Sequence, residues 1–98
     1  MDRELLLRAE AALKEGSLPR AGQLLDAAED QSAVRWSMLR GRVYLEQKQY
    51  EKAAACFHQA EQEKPDVCAR YLEICYRELE DFRQAYFYAC RQKNTEDR

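Results

Sequence analysis

An internal repeat is the feature of this sequence that most restricts its fold. When the chain is shifted along itself so that Ala21 falls on Ala53, Ala53 falls on Ala85. The positions three residues before these alanines also match, as Leu18, Tyr50 and Phe82. A fixed period of about 20–50 residues is typical of units that stack side by side, such as helix–turn–helix hairpins. We therefore predict three copies of such a unit, which span residues 2–33, 34–65 and 66–97.

The apolar residues within each copy recur at helical spacing. In the first copy, Leu5, Ala9 and Ala12 follow the i, i+4, i+7 pattern of one helix face, and no segment of the chain alternates like a strand. The 98 residues include only three glycines and two prolines, which leaves little turn material for an all-β fold. We therefore predict a single all-α domain over residues 1–98, with six helices arranged as an α-solenoid of three hairpins.

Polar residues and helix breakers mark the predicted turns. Ser17 and Asp81 are good N-cap residues for the second and the sixth helix. Pro65 is predicted to end the fourth helix, and Asp66 is predicted to cap the fifth.

The middle copy resembles the tetratricopeptide repeat. That family's pattern has a glycine and a tyrosine on the first helix, followed by alanines, a phenylalanine and a proline. Here these residues stand at the family's mutual spacing, as Gly41, Tyr44, Ala53, Phe57, Ala60 and Pro65. The resemblance implies a right-handed superhelical stack. Small residues at Gly41 and Ala53 would let the two helices of one hairpin cross closely, while Tyr44 and Phe57 would fill the space between hairpins.

The sequence departs from the family pattern in three respects. Ser37 and Arg40 occupy the slots of the family's tryptophan and leucine, and Trp36 stands one place early. The repeat period of this chain, which is the spacing between Ala21, Ala53 and Ala85, is shorter than the family's period of about 34 residues. Some turns or helix ends must therefore be shorter. The outer copies match fewer slots. The third copy has an alternative register, in which the Trp, Leu and Gly slots hold Tyr71, Ile74 and Cys75.

Tetratricopeptide proteins generally hold a partner peptide on a concave surface formed by their first helices, so the resemblance implies a non-enzymatic adaptor. The positions carried over to that surface are Arg3, Arg35, Met38, Arg42, Leu45, Arg70, Ile74 and Arg77. The same surface also includes Leu6, Glu10, Leu13, Lys14, Glu46, Val67 and Glu78. The surface is net positive in a chain of net charge −2, and arginine can hold a carboxylate with two hydrogen bonds. We therefore predict an acidic peptide partner. The alternative is that these arginines are solvated helix positions, with pairs such as Arg42 and Glu46.

Three consecutive aromatic residues, Tyr86, Phe87 and Tyr88, lie on the last predicted helix. They cannot all face the core of one repeat, and solenoids normally end in a helix with a polar outer face. The alternative function is therefore a structural scaffold that forms homo-oligomers through these residues and has no peptide ligand. A third possibility is that one aromatic side chain packs inward and the other two stay partly exposed.

The sequence shows no catalytic or metal-binding pattern. The only histidine, His58, is two residues from Cys56, and such positions face different sides of a helix. The first residues do not resemble a secretory signal, so we expect the four cysteines to be reduced thiols in the cytoplasm. The cysteines form no close pairs, so we expect no metal or cofactor. The net charge argues against nucleic-acid binding. The longest uncharged stretch, residues 53–60, is far shorter than the about 20 apolar residues of a membrane span.

Overall fold

The computed structural model describes residues 2–31 and 33–91, and six α-helices account for most of these residues. The helices are α1 (Asp2–Lys14), α2 (Leu18–Asp26), α3 (Val34–Glu46), α4 (Tyr50–Ala60), α5 (Pro65–Glu78) and α6 (Phe82–Arg91). No strand occurs within these ranges. The predictions of an all-α fold and of six helices are therefore confirmed, while the last part of the third predicted copy lies outside the described residues.

The three hairpin turns have the same backbone conformation at equivalent positions of the repeat. Gly16, Lys48 and Glu80 have positive φ angles of 82°, 64° and 63°. The N–H of each of these residues donates to the carbonyl three positions earlier at 3.0 Å, and the next N–H donates to the carbonyl five positions earlier at 2.8–2.9 Å. This pattern is the Schellman motif, which ends a helix by pairing its last carbonyls. The sequence repeat is thus also a repeat of backbone geometry.

The helix caps agree with the sequence at one position and differ at two. Asp81 caps α6 as predicted, because its Oδ1 accepts a hydrogen bond from the N–H of Gln84 at 3.3 Å. Ser17 lies at the N-cap of α2, but its hydroxyl makes no capping hydrogen bond within the described residues. The prediction for α5 was wrong: Lys64 is the N-cap residue and Pro65 opens the helix. Proline is tolerated there because the first N–H groups of a helix have no partner inside the helix.

The two helices of each hairpin pack against each other, and α2 and α4 pack against the first helix of the next hairpin. Between the first two hairpins, the buried Trp36 donates its Nε1–H to the carbonyl of Leu25 at 2.8 Å. Between the second and third, Phe57 stacks on Tyr71 with ring centroids 4.7 Å apart. The hydrophobic core is therefore shared by neighbouring hairpins, as a two-helix unit requires when it cannot bury its own apolar face.

Gly41 lies where α3 crosses α4, as the sequence predicts. A Cβ atom at this position would lie only 2.7 Å from Cζ of Phe57, whose ring tip points at the glycine. Ala53 is fully buried on the facing helix. Glycine is therefore required here by the close approach of an aromatic ring, because a larger side chain would push the two helices apart.

Among the described residues, no helix has the length and apolar character that a membrane crossing needs.

Candidate functional site

A groove of about 540 Å³ lies between α1, α3 and the start of α5. We call it the α3–α5 groove. Its apolar lining consists of Val34, Met38, Leu39, Val67 and Tyr71. Its charged lining consists of Glu10, Arg35, Arg42 and Lys64. First helices from all three hairpins contribute to it, because the hairpin turns direct α1, α3 and α5 to the same side.

The floor of the α3–α5 groove is apolar and uncharged. Met38 Sδ lies 3.4 Å from Sγ of Cys68, which is fully buried beneath the groove. Burial raises the pKa of the Cys68 thiol from 9.0 to about 11, because a thiolate would lose its hydration there. The thiol therefore stays protonated near neutral pH. Tyr71 is held in place by its stacking on Phe57, so one wall of the groove is rigid.

The rim of the groove carries more positive than negative charge. Arg35 reaches across from α3 to α1 and forms an ion pair with Glu10, whose Oε1 lies 2.7 Å from the guanidinium. This hydrogen bond is the main cause that lowers the pKa of the Glu10 carboxyl, and the charges of Arg35, Lys14 and Arg42 make smaller contributions. Arg42 and Lys64 add two further cations to the lining. The arrangement can therefore receive one or two carboxylates beside an apolar surface.

Three of the eight residues predicted for the concave surface line this groove, namely Arg35, Met38 and Arg42. The other five are outside its lining. Leu45 and Ile74 are half-buried, and Leu45 packs against the core of the second and third hairpins. Arg3, Arg70 and Arg77 are exposed, and Arg77 forms an ion pair with Glu73 one turn earlier on α5.

Of the other residues that the sequence places on the same surface, Glu10 and Val67 line the groove, whereas Leu6, Leu13, Lys14, Glu46 and Glu78 do not. Val34, Leu39, Lys64 and Tyr71 line the groove but are not among the residues predicted to bind the partner. Leu39 and Tyr71 are equivalent positions of the repeat, so one missed position led to the other. Lys64 was missed because it precedes the first helix of the third hairpin and does not lie on it.

The three consecutive aromatic residues of α6 face different environments. Tyr88 is buried and stacks on Tyr76 with ring centroids 5.8 Å apart. Tyr86 and Phe87 are exposed over 73% and 49% of their surface. The assignment of Tyr88 to a self-association surface is therefore corrected, because the helix turns this side chain into the core. The possibility that one aromatic residue packs inward describes α6 correctly.

His58 takes part in a hydrogen-bonded contact between α4 and α5. Its Nδ1 lies 3.0 Å from Oε1 of Glu61, and its Nε2 lies 2.8 Å from the hydroxyl of Tyr76. Both ring nitrogens thus have partners within the protein. Among residues 2–31 and 33–91, no three His, Cys, Asp or Glu side chains are grouped so that they could hold a metal ion.

Comparison of the chain with protein-family models, with curated proteins and with solved structures found no match.

Proposed function

We propose that this chain is a non-enzymatic protein-interaction module that holds an acidic, amphipathic peptide of a partner protein in the α3–α5 groove. The hairpins are, in this proposal, of the tetratricopeptide type and form a right-handed superhelical stack. The observation that carries the proposal is the combination of an apolar groove floor with an excess of cations on its rim. No cofactor is part of it.

The size of the groove supports a short peptide segment as the ligand. A volume of about 540 Å³ is in the range of sites that enclose a few side chains. Met38, Val67 and Tyr71 would cover apolar side chains of the peptide. Burial of such side chains removes apolar surface from water, and this favours binding.

The charges on the rim support an acidic rather than a basic peptide. The ion pairs found among the described residues include neither Arg42 nor Lys64. Arg35 already holds Glu10, and a second carboxylate can bind the other edge of its planar guanidinium. The association rate of an acidic peptide would also be increased, because its charge is opposite to that of the rim.

The histidine and two of the four cysteines have partners or are buried in the structure. His58 is hydrogen-bonded to Glu61 and Tyr76. The thiols of Cys68 and Cys75 are fully buried and have a pKa raised to about 11, which disfavours the reactive thiolate. These contacts support a binding role rather than a catalytic one.

The proposal is tested by selection from a displayed library of random peptides. Peptides enriched by the wild-type chain should combine Asp or Glu with Leu, Ile, Val or Phe. Fluorescence anisotropy of an enriched peptide then measures its affinity for the wild-type chain and two variants. We expect Arg42→Glu and Met38→Lys each to weaken binding by about tenfold or more. Arg42→Glu replaces an attractive charge with one that repels the peptide carboxylate. Met38→Lys replaces an apolar contact with a charge that loses its hydration on binding.

The matched control is Arg20→Glu, an exposed arginine of α2 outside the groove, which should bind the peptide like the wild type. Enrichment of no peptide, or equal affinity for the Arg42→Glu and Arg20→Glu chains, would contradict the proposal. Binding of a single-stranded RNA oligonucleotide with a steep salt dependence would instead support a nucleic-acid partner.

A further inference from the structure

One face of α6 carries an exposed apolar stripe. Phe82, Tyr86 and Ala89 have the i, i+4, i+7 spacing of a single helix face, and all three are exposed. Phe82 exposes 63% of its surface and Tyr86 exposes 73%. We call these three residues the α6 face.

The rest of the molecule shows what covers such a face. In the preceding copy of the repeat, the α6 face corresponds to Tyr50, Ala54 and Phe57 on α4. These residues contact the third hairpin: Phe57 stacks on Tyr71, Ala54 is buried, and Tyr50 packs against the core cluster that includes α5. The α6 face is therefore the repeat equivalent of a surface that, on α4, is covered by the first helix of the next hairpin.

The opposite end of the molecule has the complementary surface. Leu7 is 47% exposed on α1, and Ala11, one turn later, is also exposed. The equivalent positions of α3 and α5 are largely buried, at Leu39, Val43, Tyr71 and Cys75. We call Leu7 and Ala11 the α1 face. In the second and third hairpins the same positions belong to the buried inner side of the stack.

We propose that this chain associates head to tail with a second copy of itself, with the α1 face of one copy packed on the α6 face of the other. The contact would repeat, between two chains, the packing of α5 on α4 within one chain. The inference is independent of the peptide-binding function, because Phe82, Tyr86 and Ala89 do not line the α3–α5 groove.

An interface of this kind is heterologous, since the two surfaces that meet are different. Each copy in such a contact keeps one free α1 face or one free α6 face, so further copies can add and the assembly stays open. Phe87 does not belong to the interface, because it is rotated by about 140° around α6 from Phe82. Its ring instead contacts Tyr88 and lies under the guanidinium of Arg91.

Sedimentation equilibrium over a wide concentration series tests the inference. We expect the mass of the wild-type chain to rise with concentration above its monomer value of 11.6 kDa. Tyr86→Lys and Leu7→Lys should each weaken self-association by about tenfold or more, because each places a charge in one of the two faces. The matched control Phe87→Lys should associate like the wild type. Circular dichroism checks that every variant keeps its helix content.

A mixture of the two weakened variants decides whether the contact is head to tail. The Tyr86→Lys chain keeps its α1 face and the Leu7→Lys chain keeps its α6 face, so an equimolar mixture should form a 1:1 dimer that adds no further copies. Phe82→Lys and Ala11→Glu provide the same test at second positions. A wild-type chain that stays monomeric, a Leu7→Lys chain that still forms dimers alone, or a mixture that stays monomeric would each overturn the inference.

Discussion

The contact between Gly41 and Phe57 leads to a quantitative prediction for Gly41→Ala. A Cβ atom at residue 41 would lie 2.7, 2.8 and 3.0 Å from the three atoms at the tip of the Phe57 ring. Phe57 is fully buried, and its ring is stacked on Tyr71 with the two planes 7° apart. The ring therefore cannot move away from the new methyl group unless α4 or Tyr71 moves with it.

Two opposing effects set the size of the change. Alanine favours the helix over glycine by about 1 kcal/mol, whereas overpacking a rigid core costs about 1–3 kcal/mol. Since the methyl group meets three ring atoms at once, the cost lies at the upper end, and the free energy of unfolding should fall by about 1–2 kcal/mol. In a chain of 98 residues, each kcal/mol corresponds to a decrease in Tm of about 4–8 °C.

Urea and thermal unfolding followed by circular dichroism measure this change. Gly22→Ala is the matched control, because a Cβ there would meet only the flexible end of Arg40 at 3.3 Å. We expect this variant to be as stable as the wild type or more stable. In a Phe57→Leu background, Gly41→Ala should lose most of its destabilising effect. If Gly41→Ala instead raised the stability of the wild-type chain by about 1 kcal/mol, the close approach of α3 and α4 would be refuted.

Two further predictions concern a helix cap and the buried thiols. Asp81→Ala should lower the free energy of unfolding by about 0.5–1 kcal/mol in urea titrations, because it removes the hydrogen bond to Gln84, whereas Ser17→Ala should change it little. An equal loss in both variants would contradict the capping role of Asp81. The second prediction concerns the thiols of Cys68 and Cys75, whose pKa is raised from 9.0, the value of an unburied thiol, to about 11 in the folded chain. Their contribution to stability is therefore complete below pH of about 9 and is lost as the pH rises towards about 11. Urea midpoints measured under reducing conditions should decrease over this range, and a constant midpoint would refute the burial of these thiols.

The backbone of the hairpins could be predicted closely from the sequence because it depends on local interactions. Helical spacing of apolar residues is a property of neighbours within one or two turns, so six helices could be located without tertiary information. Even so, Lys48 and Glu80 adopt a left-handed conformation at turns where glycine would be the favoured residue. Only the match with Gly16 in the repeat suggests this conformation.

The groove could be predicted only in part. The resemblance to the tetratricopeptide pattern pointed to Arg35, Met38 and Arg42 on α3, and these three residues line the groove. Arg70 and Arg77 have the same residue type but lie outside the groove lining, and Arg77 pairs with Glu73 on its own helix. The distinction depends on the separation between α3 and α5, which no local pattern encodes.

The sequence by itself determined the six helices, their pairing into hairpins and the period of the repeat, because these follow from short-range spacing and from self-similarity along the chain. Only the tertiary structure decided which side of each helix is covered. Tyr88 is buried while its neighbours Tyr86 and Phe87 are exposed, and Phe82 is more exposed than Phe87. The physical reason is that burial depends on which helices pack nearby, and residues far apart in the chain set that packing.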